Sequence, residues 1–285
     1  MNVKLRPGVP DDAAVCGQIC YEAFGALAAA HGFPRDFPSA EVATGVAGMM
    51  LGHPGFYSLV AEVDGQVVGS NFMDERSPIV GIGPITVAPA AQDVGVGRAL
   101  MDGVLVRAVD RGSPGVRLVQ AAYHNRSLAL YAKLGFSVQE SLACMQGAAV
   151  STPVPGYAVR SATPEDIAAC DALCRRVHGH HRHGEVADAV NQNGALVVEH
   201  DGRISGYSTG LAYFGHTVGE TNEDLKALIG AVSEFAGPGF LVPLANSELV
   251  GWCLGNGLRV VQLMTLMTIG LYNEPAGAYL PSIHY

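Results

Sequence analysis

The sequence predicts an α/β protein in which one unit with a mixed sheet is written twice. Strand-like and helix-like segments alternate along the chain. Two stretches share Arg, Pro, Asp, Ala, Cys and Cys at the same places, "RPGVPDDAAVCGQIC" from residue 6 and "RSATPEDIAACDALC" from residue 160. At 285 residues, the chain can hold two domains of about 140 residues each.

The first unit begins with a strand, and Pro10 with the acidic pair that follows it marks the start of a helix. Alternating apolar residues predict strands over residues 3–6, 57–63, 66–73, 82–87, 116–121 and 136–144. Helical periodicity predicts helices over residues 10–31, 40–51, 94–111 and 125–133.

Two further matches support a duplication. "EVDGQVVG" (62–69) matches "EHDGRISG" (199–206), and in both an Asp-Gly pair between apolar runs predicts a two-residue hairpin turn. "HNRSLALYAKLGFSV" (124–138) matches "NSELVGWCLGNGLRV" (246–260). The offsets fall from 154 to 137 to 122, as expected if connections shortened in the second copy. We predict a first unit over residues 1–150 and a second over 157–285, joined through "STPVPGYAV".

Composition excludes several classes of function. Net charge is −9 without a block of Lys or Arg, which argues against nucleic acid as a partner. No apolar run reaches the roughly 20 residues of a membrane helix, so we expect no membrane partner. "MNVKLRPG" lacks the features of a signal peptide, so we expect a cytoplasmic location. Six cysteines without a CxxC pair indicate free thiols, most of them facing a core.

The segment "GPITVAPAAQDVGVGRALMDGVLVRA" is the most informative. A strand is followed by a glycine-containing turn that opens a helix, and free amides at such a helix start form an anion site. Leu100 stands where a dinucleotide fingerprint needs glycine, and no Lys completes a phosphate-binding P-loop. A simple glycine-permitted turn without a ligand remains the alternative.

Gln92-x-x-Gly95-x-Gly97 after "ITVAP", with "SLALYAKLGF" about thirty residues later, resembles the acetyl-CoA-binding core of the GNAT N-acetyltransferase superfamily. The resemblance covers most of residues 1–147. It implies two tandem acyl-CoA N-acyltransferase-like domains. It also implies that the pyrophosphate of coenzyme A rests on the turn and that pantetheine pairs with the preceding strand. The implied cofactor-binding residues are Ile85, Thr86, Val87, Gln92, Asp93, Val94, Gly95, Val96, Gly97, Arg98, Asn125, Ser127 and Tyr131.

The same resemblance implies catalytic roles for Val87 and Tyr131, and the need to deprotonate the amine adds a carboxylate. The amide of Val87 polarises the thioester carbonyl, and Tyr131 protonates the leaving thiolate. Glu75, beside Asp74 in "MDERSP", is the candidate carboxylate that accepts the proton of the amine. The alternatives are a core aromatic for Tyr131 and an exposed loop for Glu75. His124 stands where the family commonly has Asn.

The second unit lacks the paired glycines. Its corresponding helix begins with Glu220, Glu223 and Asp224, which disfavour a phosphate there. Cys253 replaces Tyr131, and we expect it to pack in a core. "HGHHRH" (178–183) matches no recognised metal site, and we expect a helix-end or pocket-lining loop. The final "YLPSIHY" reads as an extended segment that adds a strand across the unit boundary.

The sequence therefore predicts an acetyl-CoA-dependent N-acetyltransferase that is active in its first unit and acts on a small-molecule or protein amine. The alternative is a non-catalytic acyl-CoA-binding regulator or sensor, and a metal-binding protein is the least favoured of the three hypotheses. We expect no metal. The oligomeric state is a monomer or a homodimer, because two fused units can already supply a pseudo-dimer.

Overall fold

The computed structural model describes residues 3–285 and has the predicted mixed α/β architecture. The helices are α1 Ala13–His31, α2 Ala40–Gly52, α3 Val96–Asp110, α4 Asn125–Lys133, α5 Ile167–His178, α6 His183–Asn191, α7 Asn222–Gly230 and α8 Ser247–Gly255. The strands are β1 Lys4–Pro7, β2 Phe56–Val63, β3 Gln66–Asp74, β4 Val80–Ile82, β5 Thr86–Val87, β6 Gly115–Ala121, β7 Ser137–Gln146, β8 Ala158–Ser161, β9 Leu196–His200, β10 Arg203–Ser208, β11 Thr217–Gly219, β12 Phe240–Pro243, β13 Arg259–Gly270 and β14 Ala278–Leu280.

The repeated sequence stretches form the same hydrogen-bond network in both units. In each, an arginine donates to both carboxylate oxygens of an aspartate six residues later and to a glutamate that precedes the hairpin turn. The residues are Arg6, Asp12 and Glu62 in the first unit and Arg160, Asp166 and Glu199 in the second. The arginine lowers the pKa of Asp166 to about 2. The two units therefore share side-chain contacts as well as a sequence pattern.

The predicted hairpin turns are confirmed. Asp64 and Gly65 have φ of 51° and 80°, and Asp201 and Gly202 have φ of 52° and 73°. Two consecutive residues with positive φ match the right-handed twist of the strands that they join. These turns connect β2 to β3 and β9 to β10.

The two units exchange their long late strands. By the repeat, β13 is the counterpart of β7, yet β13 lies between β6 and β7, and β7 lies between β13 and β12. All three of these pairings are antiparallel. The nine-stranded sheet has the order β1-β2-β3-β4-β6-β13-β7-β12, with β5 beside β3. Each unit thus inserts a strand next to a central strand of the other.

The carboxyl-terminal segment forms β14, which adds the predicted strand within the second unit and not across the unit boundary. It lies at one edge of a five-stranded sheet of order β14-β11-β10-β9-β8. Beyond it, the imidazole Nε2 of His284 lies 2.9 Å from the carbonyl oxygen of Gly83. The segment therefore begins in the second unit and ends against the first.

The strand predicted over residues 82–87 is interrupted. A cis peptide between Gly83 and Pro84 separates β4 from β5. Only β4 pairs with β6, whereas β5 pairs with β3 alone. The sequence pattern does not reveal the interruption, because β-branched residues dominate both before and after Gly83-Pro84.

Helix α1 packs against α2, β3 and β5. With the short turn before it, residues 10–31 form the one helix within residues 3–285 that is long and apolar enough to cross a membrane, at a mean hydropathy of 1.3. Helix α3 packs on β2 and β3, and its apolar side chains form one core with α4 and β6.

Candidate functional site

A slot opens where β5 and β6 diverge. The parallel pairing of β4 with β6 ends at Ile82 and Leu118. Residues 119–121 continue β6 but pair only with β13 on their other side. Within residues 3–285, neither β5 nor residues 119–121 has a strand partner across this gap. We call this gap between the two free backbone edges the slot.

The amide of Val87 faces the slot. Ala88 N–H donates to the carbonyl oxygen of Val68 on β3 at 2.8 Å. Because successive amides of a strand point to opposite edges, the N–H of Val87 points away from β3. The side-chain Nε2 of Gln92 donates to Val87 O at 3.1 Å and fixes the end of the strand. The amide predicted to polarise a carbonyl is therefore held at an open edge.

A glycine turn at the same end of β5 presents free amides. Gly95 caps α3 with φ 93°, a left-handed conformation that glycine adopts without strain. Within the described residues 3–285, the amides of Val94 to Arg98 have no protein acceptor. Gly97 follows, and a side chain there would point toward Val87 and Leu130. Unpaired amides at the positive end of a helix dipole suit a phosphate.

Charged side chains flank this turn. Asp93 forms an exposed ion pair with Arg126 of α4 at 2.6 Å. Arg98 lies 3.4 Å from Asp102 and is more than half exposed. Ile85 and Thr86 line the strand before the turn, where Thr86 Oγ1 lies 3.4 Å from Ser70 Oγ. The predicted strand and turn residues are thus neighbours in the structure, although the side chains of Thr86 and Val96 are buried.

Tyr131 lies in α4 within the core that α3 and β6 share. Burial raises the pKa of its hydroxyl to about 12, and the nearby Ser127 hydroxyl lowers it by less. A phenol with so high a pKa stays protonated at neutral pH. Tyr131 therefore has the protonation state that a general acid requires.

Ser127 and Asn125 differ in whether their side chains are free to contact a ligand. Ser127 Oγ lies 2.6 Å from His124 Nδ1, so its hydroxyl is engaged within α4 and its cap. Burial, with Arg126 and His31, lowers the pKa of His124. Asn125 is exposed at the first position of α4.

Glu75 is held by two arginines. Arg107 Nε and Nη2 donate to its two carboxylate oxygens at 2.8 and 2.9 Å, and Arg111 Nη2 donates to its backbone oxygen at 2.6 Å. These arginines lie at the far end of α3 from Gly95. Asp74 is likewise paired with Arg76. Both carboxylate oxygens of Glu75 are thus engaged by Arg107, and this geometry argues against Glu75 as the general base.

Asp36, in the loop between α1 and α2, is a carboxylate that the sequence argument missed. Burial raises the pKa of Asp36, and its hydrogen bond from Gln262 lowers it by less. Gln262 Nε2 donates to Asp36 Oδ1 at 3.4 Å from the exchanged strand β13. The sequence around Asp36 gives little indication of a functional site, because "FPRDFPS" is typical of a proline-rich turn.

The loop that carries Asp36 lies beside the carboxyl end of β6. Phe33 of this loop stacks on Tyr123, with ring centroids 4.3 Å apart. Tyr123 lies two residues beyond the end of β6, and the pKa of its hydroxyl is raised to about 12, mainly by burial and further by Asp36. The loop therefore covers the end of the sheet where β5 and β6 separate, with aromatic side chains around the carboxylate.

Residues 27–136 match the model of the acetyltransferase (GNAT) family. This range contains the slot, the glycine turn and Tyr131. The first unit carries a GNAT domain. No curated protein sequence matches the chain.

Solved structures resemble the whole chain. A proposed acetyltransferase from Pyrococcus horikoshii superposes with a TM-score of 0.75 at 16% identity, covering 97% of this chain and 94% of its own. A GCN5-related N-acetyltransferase from Sphaerobacter thermophilus superposes with a TM-score of 0.62 at 18% identity, covering 95% of this chain and 96% of its own. A tandem GNAT protein from the clavulanic acid biosynthesis pathway superposes with a TM-score of 0.56 at 16% identity, covering 99% of this chain and 100% of its own. These likenesses establish that both units have the GNAT fold.

The second GNAT unit has no open slot. Val218 and Gly219 hold the positions of Thr86 and Val87, because Glu220 N–H donates to Ser205 O as Ala88 N–H donates to Val68 O. Their other edge is taken by β14, with Val218 paired to Tyr279 and Gly219 to Ala278. On the opposite edge, β11 pairs with β10. The chain itself therefore occupies the edge that the first GNAT unit leaves free.

The helix start is also occupied in the second GNAT unit. Asp224 Oδ2 accepts hydrogen bonds from the amide and hydroxyl of Thr221 at 2.8 and 3.0 Å. This capping box places a carboxylate at the helix terminus, which repels a phosphate. The prediction that acidic residues fill this position is confirmed.

Cys253 packs in the core of the second GNAT unit, as expected, and burial raises the pKa of its thiol to about 12. The histidine stretch 178–183 joins α5 to α6. His178 is buried there, and its Nδ1 lies 3.1 Å from Tyr285 Oη. Within residues 3–285, no three His, Cys, Asp or Glu side chains are grouped as metal ligands.

Proposed function

We propose that the protein is an acetyl-CoA-dependent N-acetyltransferase whose active site lies in the first GNAT unit. The observation that carries this proposal is the combination of an unpaired strand edge at β5 with unpaired amides at the start of α3. An extended pantetheine can pair with the first, and a pyrophosphate can bind the second. The second GNAT unit offers neither feature.

Acetyl-CoA supplies an acetyl group activated as a thioester. The first GNAT unit suits acetyl-CoA, because backbone amides without a protein acceptor face the expected positions of both the pantetheine and the phosphates. Val94 to Arg98 would hold the pyrophosphate, and β5 would hold the pantetheine. The amide of Val87 would donate to the carbonyl oxygen that gains negative charge during transfer.

Asp36 is our candidate for the residue that takes the proton from the amine. Primary amines have pKa values near about 10 and must lose a proton before they attack. Asp36 is half-buried, and a raised pKa makes its carboxylate a better acceptor. Tyr131 is our candidate for returning a proton to the leaving thiolate as the C–S bond breaks. The ammonium gives one proton to solvent before it attacks, and Asp36 takes the second proton from nitrogen as the C–N bond forms. The phenol proton ends on the thiol. Asp36 then releases its proton to solvent, and Tyr131 regains one from solvent.

The surroundings of Asp36 suggest the kind of acceptor. Phe33 and Tyr123 stack beside it, and Phe24 lies 6.3 Å from Phe37 by ring centroids in the same region. One carboxylate among aromatic rings favours a primary amine with an apolar or aromatic substituent. We further propose that the enzyme acts in the cytoplasm as a monomer or homodimer.

Calorimetric titration with coenzyme A tests the binding site. We expect one coenzyme A per chain, because β14 and Asp224 fill the corresponding places in the second GNAT unit. Two sites per chain, or none, would contradict the proposed site. Thiol release with amine acceptors then separates an enzyme from the non-catalytic alternative.

A further inference from the structure

Gln120 of β6 is a buried amide without a hydrogen-bond partner. Its side chain is 6% exposed. Within residues 3–285, both Nε2 and Oε1 are buried and lack any partner. Leaving a buried donor or acceptor without a partner destabilises the folded protein. A residue that carries two such atoms requires an explanation.

The side chain of Gln120 lies on the slot. Along β6 it shares a face with Val116 and Leu118, which belong to the core formed with α3 and Tyr131. The pairing of β4 with β6 ends at Leu118, so Gln120 stands two residues beyond it on the free edge. Its unpaired amide is therefore beside the opening, on the side of the sheet that carries α3 and α4.

The second unit lacks this amide. On β13, Thr265 pairs with Gln120, and on β7 the counterpart of Thr265 is Ala143, which pairs with Val242. Val242 is therefore the counterpart of Gln120, and it is fully buried. A polar residue occupies this position where the slot is open, and valine occupies it where β14 closes the edge.

We propose that Gln120 binds an amide group of the pantetheine chain. A carboxamide offers one acceptor and two donors, and a secondary amide offers one of each. Gln120 would thus satisfy both of its buried atoms while positioning the arm that carries the thioester. This inference rests on the proposed function and assigns a side chain to a slot otherwise built from backbone.

The test compares two ligands on two variants. Coenzyme A contains pantetheine, whereas adenosine 3′,5′-bisphosphate does not. Gln120→Met keeps the length of the side chain and removes its polar atoms, and Gln120→Val introduces the residue of the second unit. Gln139→Leu, at an exposed position of β7, is the matched control. Calorimetry measures both affinities, and thermal unfolding shows that each variant is folded.

We expect Gln120→Met and Gln120→Val to weaken coenzyme A about tenfold, the loss of one or two hydrogen bonds. The affinity for adenosine 3′,5′-bisphosphate should stay within about twofold, and Gln139→Leu should change neither. Unchanged coenzyme A affinity would overturn the inference and assign the partner of Gln120 to a bound water. An equal loss for both ligands would also overturn it. Failure of the unaltered protein to bind coenzyme A would instead reject the proposed function.

Discussion

Gln262 donates a hydrogen bond to Asp36 across 3.4 Å and joins the two halves of the chain at the candidate acceptor site. Gln262 belongs to β13 of the second unit, and Asp36 follows α1 of the first. By the repeat, the counterpart of Gln262 on β7 is Glu140. A second carboxylate beside Asp36 would add like-charge repulsion, so the exchanged strand supplies a neutral donor here.

Changing Gly97 to Val should block the cofactor site without unfolding the protein. A Cβ at Gly97 would lie 3.8 Å from Val87 Cγ2 and 3.9 Å from Leu130 Cδ2, which are ordinary contacts. The branched methyls would then crowd the free amides. We expect coenzyme A affinity to fall about tenfold or more, equal to about 1.4 kcal/mol or more.

Gly251→Val in α8 is the control, because nothing lies within 4 Å of its Cβ position. Both variants replace a helical glycine by valine and raise helix propensity by a similar amount, and calorimetry measures binding in each. Normal coenzyme A affinity in Gly97→Val would remove the start of α3 from the binding site.

Changing Tyr131 to Phe should slow transfer and leave binding intact. The phenol has a pKa of about 12 and is protonated at neutral pH. Loss of a general acid lowers kcat by about 10²-fold. Coenzyme A affinity should stay within about twofold, and Tyr157→Phe in the second unit should behave like the unaltered protein. An unchanged kcat would leave Tyr131 as a core aromatic.

Changing Asp36 to Asn should reduce activity and stabilise the protein at neutral pH. Burial raises the folded-state pKa of Asp36 above its ordinary value of 3.8. The folded state therefore holds a proton more tightly than the unfolded state, and stability is lost as pH rises through the raised pKa. Asn removes the buried charge, so its stabilising effect should shrink below pH of about 4.

The kinetic effect of Asp36→Asn should be a fall in kcat/KM of about 10²-fold. In the unaltered enzyme, kcat/KM should fall on the acid side as Asp36 becomes protonated, and this limb should be absent in the variant. Thermal unfolding and initial rates across pH measure the two effects. Full activity in Asp36→Asn would assign proton transfer to another group.

Changing Glu75 to Gln should affect stability more than chemistry. Its carboxylate is bound by Arg107 and Arg111, and Arg107 is partly exposed. We expect a loss of about 1 kcal/mol in the free energy of unfolding, as for a partly exposed ion pair. kcat should remain within about threefold. A loss of activity comparable with that of Asp36→Asn, at unchanged stability, would restore Glu75 as the base.

The sequence predicted the parts of the fold that local chemistry encodes. Asp64-Gly65 and Asp201-Gly202 form the expected turns because few residue pairs tolerate two positive φ angles. The turn at Gly95 could be predicted because glycine adopts a positive φ without strain. The exchange of β7 and β13 was missed, because strand order depends on partners far apart in the chain. The repeat itself gives both strands the same pattern.

The sequence points to the backbone groups of the candidate site, whereas the choice of side chains depends on contacts that the sequence does not show. The Val87 amide faces the slot by simple strand alternation. Glu75 was chosen for its position after a strand, but the two arginines that bind it lie more than thirty residues away. Asp36 and Gln120 have no sequence motif. Each was recognised only from its burial and its few partners.

Release of free thiol from acetyl-CoA, measured with a panel of primary amines, tests the central claim most directly. The panel should include phenethylamine, spermidine and an amino acid. We expect release that requires both enzyme and amine, is fastest with an aromatic or apolar amine, and falls with Gly97→Val and Tyr131→Phe. Binding of acetyl-CoA without amine-dependent release for any acceptor would contradict it and favour a non-catalytic acyl-CoA-binding protein.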